Sequence, residues 1–357
     1  MDKRQNLSMI EALSNVPGVS GFEDEALFLL RRYGESLGEC AEDAMRNFYI
    51  NRSGPEGSPL LQLDAHSDEV GFMVRAVRPN GTLDFISLGR WVPYTVPAHR
   101  VLVRNMDGKY IPGIIGSKPP HYMTEAEKQA PIDISAMVID VGASSAREIL
   151  EDYRISAAAP VIPDVGFEYQ EEHDIMIGKA FDNRLGCAAI LSALQELHGE
   201  KLKLNISAAF AAQEEVGLRG ATVTAQTVRP DIAICFEGTP ADDTVLDAYA
   251  VQTAVKKGPM LRHIDASMIT NPRFQRFALD TAAAKGIPVQ EGVRTGGSTN
   301  GGVIHLTGKA VPVIVIGIPV RYVHTHYGIA SYSDFEHSVQ LACELIRTLD
   351  ETVIAGF

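Results

Sequence analysis

Two adjacent carboxylates stand in the stretch FAAQEEVG, where Glu214 and Glu215 follow an apolar, strand-like run. In an extended segment successive side chains point in opposite directions, so the two carboxylates can do different work. A metal hydrolase needs such a division, because a carboxylate that is not a ligand must take the proton of the attacking water. The doublet is interpreted as a general base beside a metal ligand, with a solvated surface loop as the alternative.

Other candidate ligands also follow apolar runs or begin a helix. His66 ends PLLQLDAH, Glu237 ends DIAICFE, His324 follows VPVIVIGIPVRYV, and Asp182 stands where a helix starts. The functional crevice of an open α/β sheet lies outside the carboxyl ends of its strands, so these separate segments can converge there. Imidazoles and carboxylates without a thiolate are suitable ligands for Zn²⁺, Co²⁺ or Mn²⁺. The pattern therefore predicts a metal site.

Each of these residues also has an ordinary explanation. Asp68 is close enough to His66 to orient it through its second ring nitrogen, as ligating histidines require, but a lone histidine after a strand is more often a hydrogen-bonded core residue. Asp182 could be a plain helix N-cap. The stretch RYVHTHYG holds two histidines, and His326 is interpreted as a rim residue or a support for a ligand.

The elements that must position these residues alternate between strand and helix. Near the N-terminus two helices precede two strands, MRNFYINR and SPLLQLDAH. Beyond residue 164, the predicted elements are a helix over 183–198, strands LKLNISAAFAAQ and DIAICFE, a helix over 272–285, strand VPVIVIGI and a final helix from Asp334. The N-terminal helices are predicted over 5–15 and 23–37. This alternation predicts an α/β fold whose sheet is flanked by helices on both faces.

The block of residues 69–163 has a different pattern. Short alternating runs are separated by Asn80-Gly81 and Asp107-Gly108, which are typical turn pairs of β-hairpins. We expect a small β-rich domain inserted into a catalytic domain formed by residues 1–68 and 164–357.

Composition excludes several classes of protein. A chain of 357 residues, 45% hydrophobic, is long enough for a large core and a second domain. The net charge of -13 argues against nucleic acid or an anionic membrane as a partner. No apolar run approaches the roughly 20 residues of a spanning helix, and no signal peptide is evident, so a cytoplasmic protein is expected. Its four cysteines lie far apart and are expected to be reduced thiols.

Several blocks together resemble one enzyme family. They are PGVSGFE, DAHSDEVGFMV, GIIGSKPPH, AFDNRLG, AAQEEVGLRGA and GGSTNGGVIHLTGKAVPVIVIGIPVRYVHT, in that order. The chain resembles the tetrahedral (TET-type) co-catalytic metallo-aminopeptidases, whose members are also named glutamyl or deblocking aminopeptidases and cellulase-M-like endoglucanases. This resemblance implies a zinc-exopeptidase-like mixed sheet and two divalent metal ions per chain, Zn, Co or Mn.

The resemblance also implies a role for each candidate residue. The implied metal ligands are His66 and Glu237 for one ion, Glu215 and His324 for the other, and Asp182 as the bridge between both. Glu214 is implied as the general base, and Asp68 as the residue that orients the first histidine.

Two positions depart from the family pattern. Glu237 stands where the family usually has an aspartate, and Asn300 stands where it more often has an aspartate near the substrate pocket. The preferred N-terminal residue is therefore open. Arg294 in EGVRTGG is either a partner for an acidic substrate side chain or a surface arginine.

The implied activity is removal of N-terminal amino acids from peptides by a two-metal-activated water. The implied assembly is a hollow homododecamer built from dimers, in which the inserted domain lies over the active-site side. A glycoside hydrolase of the endoglucanase type could use the carboxylate pair, but it would leave the histidines unexplained. A catalytically inactive peptide-binding homologue would be expected to lack a ligand or the base.

Overall fold

The structure, a computed structural model, describes residues 2–357. Its helices are α1 (Lys3–Asn15), α2 (Asp24–Gly34), α3 (Glu125–Gln129), α4 (Ala146–Glu148), α5 (Phe181–Glu196), α6 (Arg219–Val228), α7 (Pro272–Lys285), α8 (Gly301–Ile304), α9 (Tyr332–Thr348) and α10 (Glu351–Ile354). No helix among these residues combines the length and the apolarity needed to cross a membrane.

Seventeen strands form two open sheets and one closed barrel within the described residues. They are β1 (Glu39–Glu42), β2 (Phe48–Arg52), β3 (Leu60–His66), β4 (Gly71–Val77), β5 (Leu83–Leu88), β6 (Arg100–Arg104), β7 (Tyr110–Gly116), β8 (Val138–Asp140), β9 (Pro160–Pro163), β10 (Glu168–Gln170), β11 (Ile175–Gly178), β12 (Asn205–Ala211), β13 (Ile232–Pro240), β14 (Met260–Ile264), β15 (Gln290–Val293), β16 (Val313–Val320) and β17 (Gly328–Ser331).

The main sheet has eight strands in the order β1-β2-β12-β3-β13-β16-β14-β15. Its centre, β12-β3-β13-β16, is parallel, whereas β2 and β14 join that centre antiparallel. Side chains of β13 alternate between two cores: Ile234 packs in the large core with α5 and α9, and Cys235 packs with α6 and α8 on the other face. The predicted α/β fold, a mixed sheet with helices on both faces, is confirmed at this level.

After β3 the chain leaves the main sheet and forms a closed six-stranded barrel, β4-β5-β8-β7-β6-β9, before it returns at α5. Its interior is a separate core that includes Phe72, Val101, Ile139 and Val161. A three-stranded sheet, β10-β11-β17, lies beside the large core. The sequence patterns did not predict this small sheet, the edge strand β1 or the short strand β14.

Several predicted boundaries move by a few residues. The second helix ends at Gly34 rather than 37, α5 spans 181–196 rather than 183–198, and α7 matches its predicted range. The prediction for LKLNISAAFAAQ is too long at both ends, because β12 spans only Asn205–Ala211. Gln213 then takes a left-handed conformation, and the carbonyl of Glu214 accepts the N–H groups of Gly217 and Leu218, so the chain turns there.

Candidate metal centre

The candidate ligands meet at the carboxyl ends of the central strands. His66 is the last residue of β3, and Glu237 lies in the second half of β13. Glu215 follows β12 by four residues, and His324 follows β16 by four residues. Parallel strands bring these segments to one edge of the sheet, as the sequence predicted.

Two groups of candidate ligands share one carboxylate. His66, Asp182 and Glu237 form the first half-site, and Asp182, Glu215 and His324 form the second half-site; in each, the ligand atoms lie within 4.8 Å of one another. Asp182 Oδ1 lies 3.1 Å from Nε2 of His66, and Asp182 Oδ2 lies 3.5 Å from Nε2 of His324. The two oxygens of Asp182 thus face different imidazoles, as a bridging carboxylate requires.

The remaining distances complete the two half-sites. Glu237 Oε1 lies 3.6 Å from Nε2 of His66, and Glu215 Oε2 lies 3.3 Å from Nε2 of His324. The extra methylene of Glu237, relative to an aspartate, therefore does not prevent its carboxylate from reaching the first half-site.

Asp182 is not an N-cap, so that alternative is wrong. Asp182 and Asn183 leave helical geometry, and it is Asn183 whose Oδ1 accepts the N–H of Gly186, 3.1 Å away, in the first turn of α5. The carboxylate of Asp182 is consequently free to face the site. Gly238 allows this approach, because a Cβ on Gly238 would lie only 2.6 Å from the Cα of Asp182.

Asp68 supports both the first histidine and the carboxylate doublet. Its backbone carbonyl lies 3.2 Å and its Oδ1 lies 3.3 Å from Nδ1 of His66, and Oδ1 also accepts the N–H of Glu214 at 2.9 Å. Its Oδ2 accepts the N–H of Glu215 at 3.2 Å and the hydroxyl of Ser20 at 2.6 Å. The sequence predicted the contact with His66, but not the bonds that hold the doublet.

The two carboxylates of the doublet lie near different imidazoles, although not because they alternate along a strand. Glu214 and Glu215 lie in a turn rather than in an extended strand. Glu214 Oε2 is 3.9 Å from Nε2 of His66, whereas Glu215 Oε2 points to His324. The turn, fixed by Asp68, separates the two side chains.

The electrostatics of the cluster favour a bound cation. Burial raises the pKa of Glu214 well above its usual value, and burial together with the charge of Asp182 raises the pKa of Glu237 to about 8. Glu215 Oε1 is buried and has no hydrogen-bond partner among the described residues. Buried carboxylates are stable as anions only when they are paired or coordinate metals. The donor set, oxygen and imidazole nitrogen without sulfur, fits divalent transition metals.

The loop that carries His324 contacts the barrel. Tyr322 and His324 have positive φ angles of 64° and 61°, and the carbonyl of His324 accepts the N–H of Val92, 3.2 Å away. His326 is buried rather than on the rim, and its ring stacks on His99 of the barrel at 4.0 Å. The loop therefore packs on the barrel at His324 and at His326.

A cavity of about 260 Å³ opens beside the half-sites. Residues of the wall outside the cluster include Arg90 from the barrel, Leu218, Pro240, Arg262, Ser298 and Val323. Sequence reasoning missed Arg262, although an arginine inside the buried strand segment PMLRHI was a usable signal.

Asn300 and Arg294, each considered from the sequence for a role near the substrate, do not line this cavity. Asn300 is buried, and its Nδ2 donates to Asp64 Oδ1 at 2.7 Å. Arg294 donates to Thr253 Oγ1 at 2.5 Å and lies 3.3 Å from Asp242 Oδ2. Arg294 therefore lies outside the cavity wall, which leaves it without contact to a substrate side chain bound in this cavity.

Solved structures with the same fold include TET aminopeptidases. The TET aminopeptidase from a marine sediment Thaumarchaeota archaeon superposes with a TM-score of 0.94, at 33% identity and with 99% of both chains covered. The TET1 peptidase of Pyrococcus horikoshii, which can assemble into a tetrahedron or a large octahedral shell, has a TM-score of 0.86 at 25% identity, covering 96% of this chain and 100% of that one. The fold is that of the TET aminopeptidases.

Sequence comparison gives the same result. The family model for M42 glutamyl aminopeptidases matches residues 46–341. The glutamyl aminopeptidase of Lactococcus lactis is 32% identical over 350 residues, 97% of each chain, and the lysyl aminopeptidase of Pyrococcus furiosus is 28% identical over 349 residues, 96% of each chain. The chain belongs to the M42 glutamyl aminopeptidase family, and it is a metal-dependent aminopeptidase that removes N-terminal amino acids from peptides.

Proposed function

We propose that this aminopeptidase is dinuclear, with one divalent ion, Zn, Co or Mn, in each half-site. Its ligands would be His66 and Glu237 in the first half-site, Glu215 and His324 in the second, and Asp182 in both. The observation that carries this proposal is the position of Asp182, whose two oxygens face two different imidazoles. Ions bound there would supply Lewis acidity and lower the pKa of the attacking water.

Glu214 acts as the general base in this proposal. It belongs to neither half-site as we define them, yet it lines the cavity, and its Oε2 lies within 4 Å of His66. Oε2 takes the proton of the attacking water and then passes it to the amine that leaves. Asp68 keeps Glu214 in place through the backbone N–H and holds the ring of His66 through Nδ1.

The size of the cavity supports a substrate that enters by one terminal residue. Its volume, about 260 Å³, is below the roughly 300–1,000 Å³ typical of pockets for drug-sized ligands. An endoglucanase would need to accept the interior of a long polysaccharide. The fold, with this site at the strand ends, is proposed to be of the zinc-exopeptidase type.

The barrel is proposed to be a separate domain, residues 69–163, that controls assembly and access of the substrate. None of the proposed ligands lies in it, whereas Arg90 reaches the cavity wall. The shell formed by the TET1 peptidase of Pyrococcus horikoshii supports a homo-oligomer, and we propose a homododecamer built from dimers.

Hydrolysis and metal content together test the proposal. Purified protein loaded with Zn, Co or Mn is assayed on aminoacyl-p-nitroanilides and on carboxymethylcellulose, and its metal is measured by elemental analysis. Release of p-nitroaniline with close to two ions per chain is expected. Activity on carboxymethylcellulose alone would indicate a glycoside hydrolase, and metal binding without turnover of either substrate would indicate an inactive homologue.

A further inference from the structure

We infer that Arg90 of the barrel binds a carboxylate on the leaving side of the scissile bond. The enzyme should therefore favour substrates that carry an acidic group on the residue directly after the one it removes. The inference rests on the proposed function, because it assumes that the cavity beside the half-sites holds the substrate's N-terminal residue.

Arg90 lies at the solvent side of that cavity. It follows β5 by two residues and, within residues 2–357, is the one residue of the barrel that lines the cavity. Arg90 is exposed, whereas Glu214 and Glu237 in the same wall are buried. A peptide that enters by its N-terminal residue has its remaining residues on the solvent side. Arg90 is therefore placed beside the second residue of the substrate.

The backbone on both sides of Arg90 is held in place. Gly89 has a φ of 81°, and a Cβ there would lie only 3.3 Å from both Cβ and Oε2 of Glu215. Trp91 is buried in the barrel core, where its Nε1 donates to the carbonyl of Gly71 at 3.0 Å. Arg90 thus extends from a fixed segment that passes directly beside the second half-site.

The side chain of Arg90 has no ion pair or hydrogen bond with any of residues 2–357. Two other arginines of the barrel do have carboxylate partners: Arg78 lies 2.6 Å from Asp84, and Arg100 lies 2.7 Å from Asp164. A guanidinium offers five N–H donors in a planar fork that matches a carboxylate at two points. All of these donors remain available to a ligand.

The carboxylates of the cavity wall face the imidazoles rather than Arg90. Oε2 of Glu215 lies 3.3 Å from Nε2 of His324, and Oε1 of Glu237 lies 3.6 Å from Nε2 of His66. The partner of Arg90 must therefore arrive with the substrate. We expect an anion, because a guanidinium is always charged and pairs best with carboxylate or phosphate.

A peptide can present a carboxylate at its second residue in two ways. The second residue can be aspartate or glutamate, or it can be the last residue, so that its free C-terminus lies there. In the second case the substrate is a dipeptide. Both sources offer the same chemistry to Arg90, and matched substrates distinguish them.

Ratios of kcat/KM within two substrate pairs test the inference. Each substrate begins with the residue X whose p-nitroanilide the metal-loaded wild type hydrolyses fastest, so the preference for X cancels. X-alanine and X-alanine amide differ in the C-terminal carboxylate; X-aspartate amide and X-asparagine amide differ in the side-chain carboxylate. We expect the wild type to favour the carboxylate in at least one pair. Arg90→Gln should lower that ratio about 3- to 10-fold, a modest effect because exposed charge pairs contribute less than buried ones.

Two further variants and added salt separate recognition from general electrostatics. Arg75 is also an exposed arginine of the barrel without a carboxylate partner among residues 2–357, but it lies outside the cavity wall. Arg75→Gln should therefore leave both ratios unchanged. Arg90→Lys keeps the charge without the planar fork and should retain part of the preference. Added salt should lower the wild-type ratio, since it screens exposed charges.

The outcomes distinguish this inference from the proposed function. A fall in the first ratio alone would support a site for dipeptides, and a fall in the second alone would support a site for acidic second residues. A wild type with no preference in either pair, or unchanged ratios in Arg90→Gln, would overturn the inference and leave the aminopeptidase activity intact. Equal falls in Arg90→Gln and Arg75→Gln would also overturn it. No turnover of any p-nitroanilide or dipeptide by the metal-loaded wild type would overturn the proposed function as well.

Discussion

The first half-site is built on the main sheet, whereas the second is built on loops that pack against the barrel. His66 is fully buried at the end of β3, and Glu237 lies within β13. The side chain of His324 is 30% exposed and stands on a loop with two left-handed residues, and Glu215 lies in a turn. Ligands on regular strands are held with less freedom than ligands on loops.

This difference predicts unequal half-sites within the proposed dinuclear centre. The first should bind its ion more tightly, because its ligands lose little conformational freedom when the ion binds. The second should exchange its ion more readily and depend on contacts from outside the sheet. Asp182 belongs to both half-sites, and Asp68 contacts His66 of the first and the backbone of Glu215 in the second. The two half-sites are therefore coupled through two carboxylates.

Chelation should have the largest effect and should distinguish the half-sites. Dialysis against increasing chelator should abolish activity while about one ion per chain remains, because the looser second half-site empties first. Elemental analysis in parallel with activity measures this order. A fully active protein with no metal would contradict the dinuclear proposal, and simultaneous loss of both ions would contradict the difference between the half-sites.

Glu214→Gln should retain both ions and the fold but lose turnover by about 100-fold or more. Glutamine preserves the shape of the side chain but cannot accept the proton of the attacking water. Metal titration and kcat on one substrate measure the two properties separately. Full activity in this variant would remove Glu214 from catalysis, and loss of an ion would make it a ligand.

Glu215→Gln and Glu237→Gln form a matched pair, one from each half-site. A neutral amide is a poor substitute for an anionic ligand, so each should weaken metal binding by at least about 10-fold. Glu215→Gln should lose the readily exchanged ion and keep the other, whereas Glu237→Gln should affect the tightly held ion. Competition with a chromogenic chelator gives both affinities; unchanged binding in Glu215→Gln would count against its role as a ligand.

Replacing residues 71–163 by a short linker should affect assembly more than the first half-site. The replacement keeps Glu69, because its carboxylate lies 2.7 Å from Nζ of buried Lys179 and its loss would leave that charge unpaired. Light scattering should show a smaller particle, and metal analysis should show about one ion per chain, since the loop of His324 loses its support. An unchanged particle mass would refute the assembly role.

The sequence predicted the sheet and the convergence of the candidate ligands because both follow from local patterns. Apolar runs that end in His66 or Glu237 identify strand ends, and strand ends of a parallel sheet converge. The bonds from Asp68 to the doublet depend on a turn set by Gln213, and no periodicity indicates it. Arg262 was missed because its place in the cavity wall depends on which strand lies next to β16, a tertiary fact.

Loss of the hydrogen bond between Val92 and His324 should have the smallest effect on metal binding. It tests the difference between the two half-sites most directly. Val92→Pro removes the N–H that binds the carbonyl of His324, and the φ of Val92, -78°, already suits proline. A net contribution of about 1 kcal/mol for one hydrogen bond corresponds to roughly fivefold weaker binding in the second half-site. Val92→Ala keeps the N–H and is the control. We expect chelator competition to show the loss for Val92→Pro only and for one ion only; an equal loss at both half-sites would mean that the barrel supports the whole centre rather than its looser half.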